Sequence, residues 1–159
     1  MATDDVLRQH VLDFFRQATE RRYEERINNF PPEAMNLRPP NVDYTPWHLM
    51  EHLRVGQRDI LDYVRGQYVS RKWPEEYWPE KDAHADVEGW NKTAAAFRAD
   101  REALAAIVAD PATDLLAPLP NTPSNTVLRE TFLVAGHISY HLGEFGILRE
   151  VMQTWRRDP

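Results

Sequence analysis

The sequence predicts an all-α protein built as a four-helix bundle. Three observations predict it: four segments carry apolar residues at helical spacing, no segment shows the alternation of a strand, and proline-rich connectors separate the four. The 159 residues match one ordinary domain with a single continuous core, so the whole chain, 1–159, is expected to be one bundle domain.

The first helix is predicted from about Asp4 to Ile27, with Leu7, Val11, Phe14 and Ala18 on one face and a polar far end at Arg21, Arg22 and Glu25. The connector NNFPPEAMNLRPPNVDY holds four prolines and cannot continue it. The second helix starts with Thr45 as N-cap and Pro46 in the first turn, where a missing N–H costs nothing, and ends about Arg65 before Gly66. The stretch from Gly66 to Ala85, with WPEEYWP, lacks helical periodicity and should pack through Trp73, Tyr77 and Trp78. A third helix beginning near Asp86 has the most regular seam: Val87, Trp90, Ala94, Phe97, Arg101, Leu104 and Val108. After DPATDLLAPLPNTPSN, a fourth runs from about Thr126 to Trp155, with Asn125 as its expected cap. About 20 residues join the second and third helices, against the ~2–8 that suffice between antiparallel neighbours. That connection should cross the bundle and leave those two helices parallel, giving an up-down-down-up order.

Composition narrows the function. A formal charge of −6, with 19 Lys and Arg dispersed among 25 acids, lacks the clustered cationic field that nucleic acid requires. Cysteine is absent, which removes disulfides, thiolate ligands and a cysteine nucleophile. The start MATDDVLRQHVLDFF has acids where a signal peptide needs basic residues, and no window approaches a membrane span, so a cytoplasmic location is expected.

Two pairs of histidines then stand out, each four residues apart and so on one face of a helix: His48 and His52 in TPWHLMEHL, and His137 and His141 in VAGHISYHLGEF. Advancing 100° per residue places His137 and His141 in the middle of the apolar arc of Leu133, Val134, Leu148, Val151 and Met152, pointing inward. On the second helix the core arc is Leu49, Leu53, Ile60 and Val64; His52 lies on its flank and His48 further towards the outside, so His52 is the better-placed third partner. Three neutral imidazoles from two helices suit a divalent ion such as zinc, nickel or iron and leave positions open for water or substrate. The plainer reading is that the histidines are hydrogen-bonded core residues, but two on one apolar arc would each need buried partners. Neither pair has Glu directly after its first His, so the protease motif H-E-x-x-H is missing; no histidine has Glu three places before it, which removes the carboxylate-bridged di-iron bundles.

The run PPNVDYTPWHLMEHLRVGQRDIL, followed far downstream by LRETFLVAGHISYHLGEFGILRE, resembles the DinB-like (damage-inducible, YfiT-like) superfamily of bundle proteins proposed to be metalloenzymes. That resemblance covers most of the chain. It implies a four-helix bundle with a divalent metal held by one His of the second helix and an H-x-x-x-H pair of the fourth, which match His52, His137 and His141. It also implies an activity of the kind some relatives have, as thiol-dependent transferases or isomerases using low-molecular-weight thiols or as hydrolases, and a homodimer. His48 is not a ligand position of the family, and a surface or supporting role is expected for it.

Other charged residues near the predicted core are Glu130, Glu144 and Arg101. Glu144 is the candidate catalytic group, able to orient a ligand imidazole or act as a general base. Glu130 is expected in solvent at the open end or paired with Arg101. Arg21 and Arg22 read as an ordinary solvated helix end. The expectation from sequence is therefore a metal-dependent enzyme that activates a thiol or water for transfer, isomerisation or hydrolysis of a small molecule. Its alternative is a non-catalytic metal- or ligand-binding protein, as in a stress response, and a third possibility is a structural bundle with core histidines.

Overall fold

The computed structural model describes residues 3–120 and 122–155. The first rod is α1 (Thr3–Arg16), which passes through one π-helical stretch (Gln17–Arg21) into α2 (Arg22–Ile27). The others are α3 (Pro46–Val64), α4 (Val87–Ala109) and α5 (Val127–Val151). Caps explain where they start. The Thr45 hydroxyl accepts from His48 N–H, the Asp86 carboxylate from Gly89 N–H, and the Thr126 hydroxyl from Arg129 N–H. The cap of α5 is thus Thr126 and not Asn125, whose amide instead donates to the Tyr63 hydroxyl at 2.7 Å.

Long-range contacts fix the directions. Arg8 in α1 donates to the carbonyls of Val108 and Thr113, at 2.5 and 2.7 Å, and Glu24 at the far end of that rod pairs with Arg98 at 2.7 Å, so the first rod and α4 run antiparallel. Thr93 donates to Glu51 at 2.9 Å and Arg58 reaches Asp100 at 3.4 Å; positions advance together, and α3 and α4 are parallel. Tyr63 late in α3 meets Asn125 just before α5, while His52 earlier in α3 meets His141 well along α5, so this pair is antiparallel. Phe14 packs edge-on against Phe132 and Arg26 lies beside Gly146, which makes the first rod and α5 parallel. The order is up-down-down-up, with the connector between α3 and α4 crossing the bundle.

The core fills the centre with Phe15, Tyr23, Leu49, Leu53, Phe97, Leu104, Ile138, Leu142 and Phe145, and Tyr23 stacks on Phe97 at 4.1 Å between ring centroids. Three sequence expectations change here. On the first rod the buried stripe is Val11, Leu12 and Phe15 of α1 and Ala18 of the π-helical stretch, while Phe14 is exposed; of two adjacent phenylalanines, the second faces inward. On α5, Leu133 and Val151 face solvent, so its apolar residues form two faces and not one arc. A short antiparallel hairpin, β1 (Pro118–Leu119) with β2 (Thr122–Thr126), precedes α5, too short and too rich in proline to show alternation in sequence.

Because Thr126 closes the first turn of the helix that carries two histidines, Thr126→Ala should lower unfolding free energy by about 1 kcal/mol. Urea denaturation reads this directly, and a Thr126→Ala midpoint equal to that of the parent protein would show the cap to be idle.

Candidate metal centre

His52 enters the site from α3, and His137 and His141 enter from successive turns of α5. The Nε2 of His52 lies 3.1 Å from that of His137 and 3.2 Å from that of His141, and one nitrogen from each ring falls within 4.8 Å of the others. The three form a group that could hold a metal ion. Two nitrogens bound to one tetrahedral ion at about 2.0–2.1 Å would be about 3.3 Å apart, close to what these rings already show.

The outer nitrogens decide what the inner ones can do. His52 Nδ1 lies 2.9 Å from the carbonyl of Tyr77, which can only accept, so Nδ1 carries the hydrogen and Nε2 presents a bare lone pair. His141 Nδ1 donates to the Glu144 carboxylate at 2.6 Å, which leaves its Nε2 bare as well. Two lone pairs facing each other repel unless a cation or proton sits between them. Protons bind poorly here. Burial lowers the pKa of all three imidazoles; His137 falls to about 4, helped by His52, and His141 to about 4, helped by His137 and His52. His137 Nδ1 is buried with no hydrogen-bond partner among the described residues. The donor set, neutral nitrogens with two tautomers fixed, fits a borderline divalent ion.

The surroundings are aromatic. Trp78 stacks on the His52 ring, 4.0 Å between centroids and 6° from parallel, and Tyr140 meets His141 edge-on at 4.9 Å. Trp73 lies 6.2 Å from His52 and is 68% exposed. Tyr77, whose carbonyl holds His52, is itself tied down by its hydroxyl, which donates to Asp59 at 2.7 Å. A cavity of about 600 Å³ between the start of α1 and Pro111–Leu116 shares no residue with the histidines, whereas one of about 320 Å³ borders Trp78.

The structure brings together the trio singled out in the sequence and places Glu144 against it. His48 departs from expectation. It is 2% exposed, not turned outward, because the returning connector covers it and its Nε2 bonds the Ala83 carbonyl at 2.8 Å. Glu130 is buried, not solvated, and its partner is Arg129 and not Arg101. Arg101 instead reaches Glu24 at 3.6 Å and Glu102 at 3.2 Å. Arg21 is a solvated helix end, paired with Glu25 at 3.0 Å. Sequence reasoning missed Gly56, although an isolated glycine inside a helix, four residues after His52, is a signal for close approach. A Cβ at Gly56 would lie 3.0 Å from Cε1 of His137.

The profile of the DinB superfamily matches residues 15–145, and the chain belongs to that superfamily. No curated protein and no solved structure gives a significant match. No helix among the described residues is long and apolar enough to cross a membrane.

The lowered histidine pKa values set a pH dependence for the metal-free protein. The unfolded chain takes up protons near the ordinary histidine value of about 6.5, and folded His137 and His141 do so only near about 4. Between these values the unfolded state binds more protons, so stability should be level above about 6.5 and fall as pH drops towards 4. Denaturation midpoints measured with chelator across this range check it. Substituting both His137 and His141 by Gln should flatten the slope, and an equal slope in the two proteins would place the dependence elsewhere.

Proposed function

We propose that this chain is a divalent-metal-binding protein acting as a metal-dependent enzyme, with His52, His137 and His141 as ligands. The observation that carries the reading is the convergence of two fixed, unprotonated Nε2 atoms with a third imidazole in a site that suppresses protonation. Zinc, nickel or iron(II) fits these ligands, and three protein nitrogens leave an open position. A bound ion would supply Lewis acidity, lowering the pKa of a thiol or water enough to make a nucleophile at neutral pH. Membership of the DinB superfamily supports the same chemistry, transfer or isomerisation with a low-molecular-weight thiol or hydrolysis of a small molecule.

The chain's own residues then divide the work. Tyr77 and Glu144 orient His52 and His141, Trp78 shields one face of His52, and Trp73 and Tyr140 flank the approach. Glu144 is a positioning residue through one oxygen. Its other oxygen has no partner among the described residues and is the group we assign to accept a proton from the nucleophile. Burial raises its pKa, the direction that makes a carboxylate a better proton acceptor.

Metal content of protein purified without an affinity tag tests the site. Alanine at His52, His137 or His141 should strip the metal, and His48→Ala should leave it; loss with His48→Ala and retention with His52→Ala would refute the ligand set. Gly56→Val should also lower metal affinity by displacing the His137 ring, in a protein whose helical circular dichroism is unchanged. Glu144→Ala should weaken metal binding by about 10–100-fold, whereas Glu144→Gln should keep the metal and lose turnover of a thiol-dependent substrate. Full metal binding with no turnover of thiol or hydrolytic substrates would favour a binding protein instead.

A further inference from the structure

Helix α3 presents two residues on one line that grip the same tyrosine. Asp59 follows His52 by seven residues, which places it on the same face, two turns and about 10 Å further along the axis. Tyr77 spans the two. Its backbone carbonyl accepts from His52 Nδ1 at 2.9 Å, and its hydroxyl donates to the Asp59 carboxylate at 2.7 Å. One helix therefore carries the imidazole and also anchors the residue that orients it.

The bundle core does not fix that carbonyl. Tyr77 ends a one-turn 3-10 helix, Glu75–Tyr77, in which no residue is buried, and Trp73 just before it is mostly exposed. What ties the turn to α3 is the Trp78 ring on His52 and the hydroxyl bond to Asp59. Asp59 also faces Arg71, whose Nε lies 3.4 Å away, but that nitrogen lacks the geometry of a hydrogen bond. The short, directed bond of Asp59 is the one to Tyr77.

The tautomer of His52 depends on this anchor. With Nδ1 bonded to the carbonyl, Nε2 turns its lone pair towards the cluster. The other tautomer has a local attraction of its own: a hydrogen on His52 Nε2 could be donated to the bare Nε2 of His141, 3.2 Å away, closing the cluster with an internal bond. A carbonyl fixed against Nδ1 penalises that state, because two lone pairs would then oppose each other across 2.9 Å. A carbonyl free to swing away would not.

We infer that Asp59 is a positioning residue of the histidine cluster. Through the Tyr77 hydroxyl it holds the backbone carbonyl that keeps the hydrogen of His52 on Nδ1 and its Nε2 lone pair inward. As a determinant of metal affinity this role rests on the proposed metal site; as a control on the tautomer it does not.

Two-bond proton–nitrogen correlation spectra of the chelator-treated full chain read the tautomer directly, and the parent protein should show the His52 hydrogen on Nδ1. Asp59→Ala and Tyr77→Phe should each move it, wholly or in part, to Nε2, with helical circular dichroism retained. Asp59→Asn, whose amide oxygen can still accept from the hydroxyl, should keep the parent pattern, and so should Arg71→Met. Zinc titrated against a chromophoric chelator should then bind Asp59→Ala and Tyr77→Phe about 10–100-fold more weakly than the parent. A parent protein that binds no zinc would remove the proposed metal function and leave the tautomer to decide the inference. The inference is overturned if Asp59→Ala and Tyr77→Phe keep the parent tautomer, if Arg71→Met shifts it as far as they do, or if Asp59→Asn fares no better than alanine. A shifted tautomer that leaves the zinc affinity of the parent would overturn it too.

Discussion

The hydrogen bond from His52 to the carbonyl of Tyr77 ties the architecture to the site. It exists only because the connector after α3 turns back over that helix before crossing to α4, and it places a backbone acceptor at the one imidazole nitrogen that must not face inward. The same return path sets Trp78 on the His52 ring and closes over His48 through Ala83. Further bonds hold the connector, from Asn36 to Ala85 at 2.7 Å and from Arg38 to Lys81 at 2.6 Å. A short loop would have made α3 and α4 antiparallel and left His52 free to choose its tautomer. The crossover is therefore part of the site as well as of the topology.

Burial and hydrogen bonding act on the cluster in the same direction. Burial removes water from three imidazoles and lowers their proton affinity, while Tyr77 and Glu144 take the outer hydrogens of two of them. Each effect alone would leave an ordinary core histidine. Together they turn the lone pairs of His52 and His141 towards each other, and His137 adds a buried nitrogen without a partner among the described residues. Native cores seldom keep such an arrangement without a ligand to satisfy it.

Much of this was legible in sequence because its signals are local. Helical spacing gave the four rods, Thr45–Pro46 gave the start of α3, and the length of the Gly66–Ala85 connector gave the parallel relation of α3 and α4. The histidine trio followed from angles on two helices. What failed depended on tertiary packing. His48 looked outward because a helical wheel cannot show a connector that returns to cover it. Phe14 and Phe15 are adjacent and chemically identical, and only the neighbouring helices decide which is buried. Leu133 and Val151 were assigned to the core because a wheel averages two apolar faces into one broad arc. The carbonyl of Tyr77 belongs to the backbone and leaves no trace in residue identity.

The histidines do not hold the bundle together, and this bears on what they can do. Val134 and Ile138 precede and accompany the pair on α5, and Leu142, Phe145 and Leu148 follow on the same helix, all buried. Phe145 further joins Phe30 and Trp90, and the Arg149 guanidinium clamps the carbonyls of Arg26 and Thr154. An unsatisfied nitrogen at His137 costs about 1–3 kcal/mol, which a domain stable by about 5–15 kcal/mol tolerates. The rings are thus held near one another by the apolar core without an ion. In small zinc domains the energy of metal binding is consumed in folding the chain. Here the core supplies the folding, so energy from an ion bound at the trio would remain available as affinity, and an open coordination position would not endanger the fold.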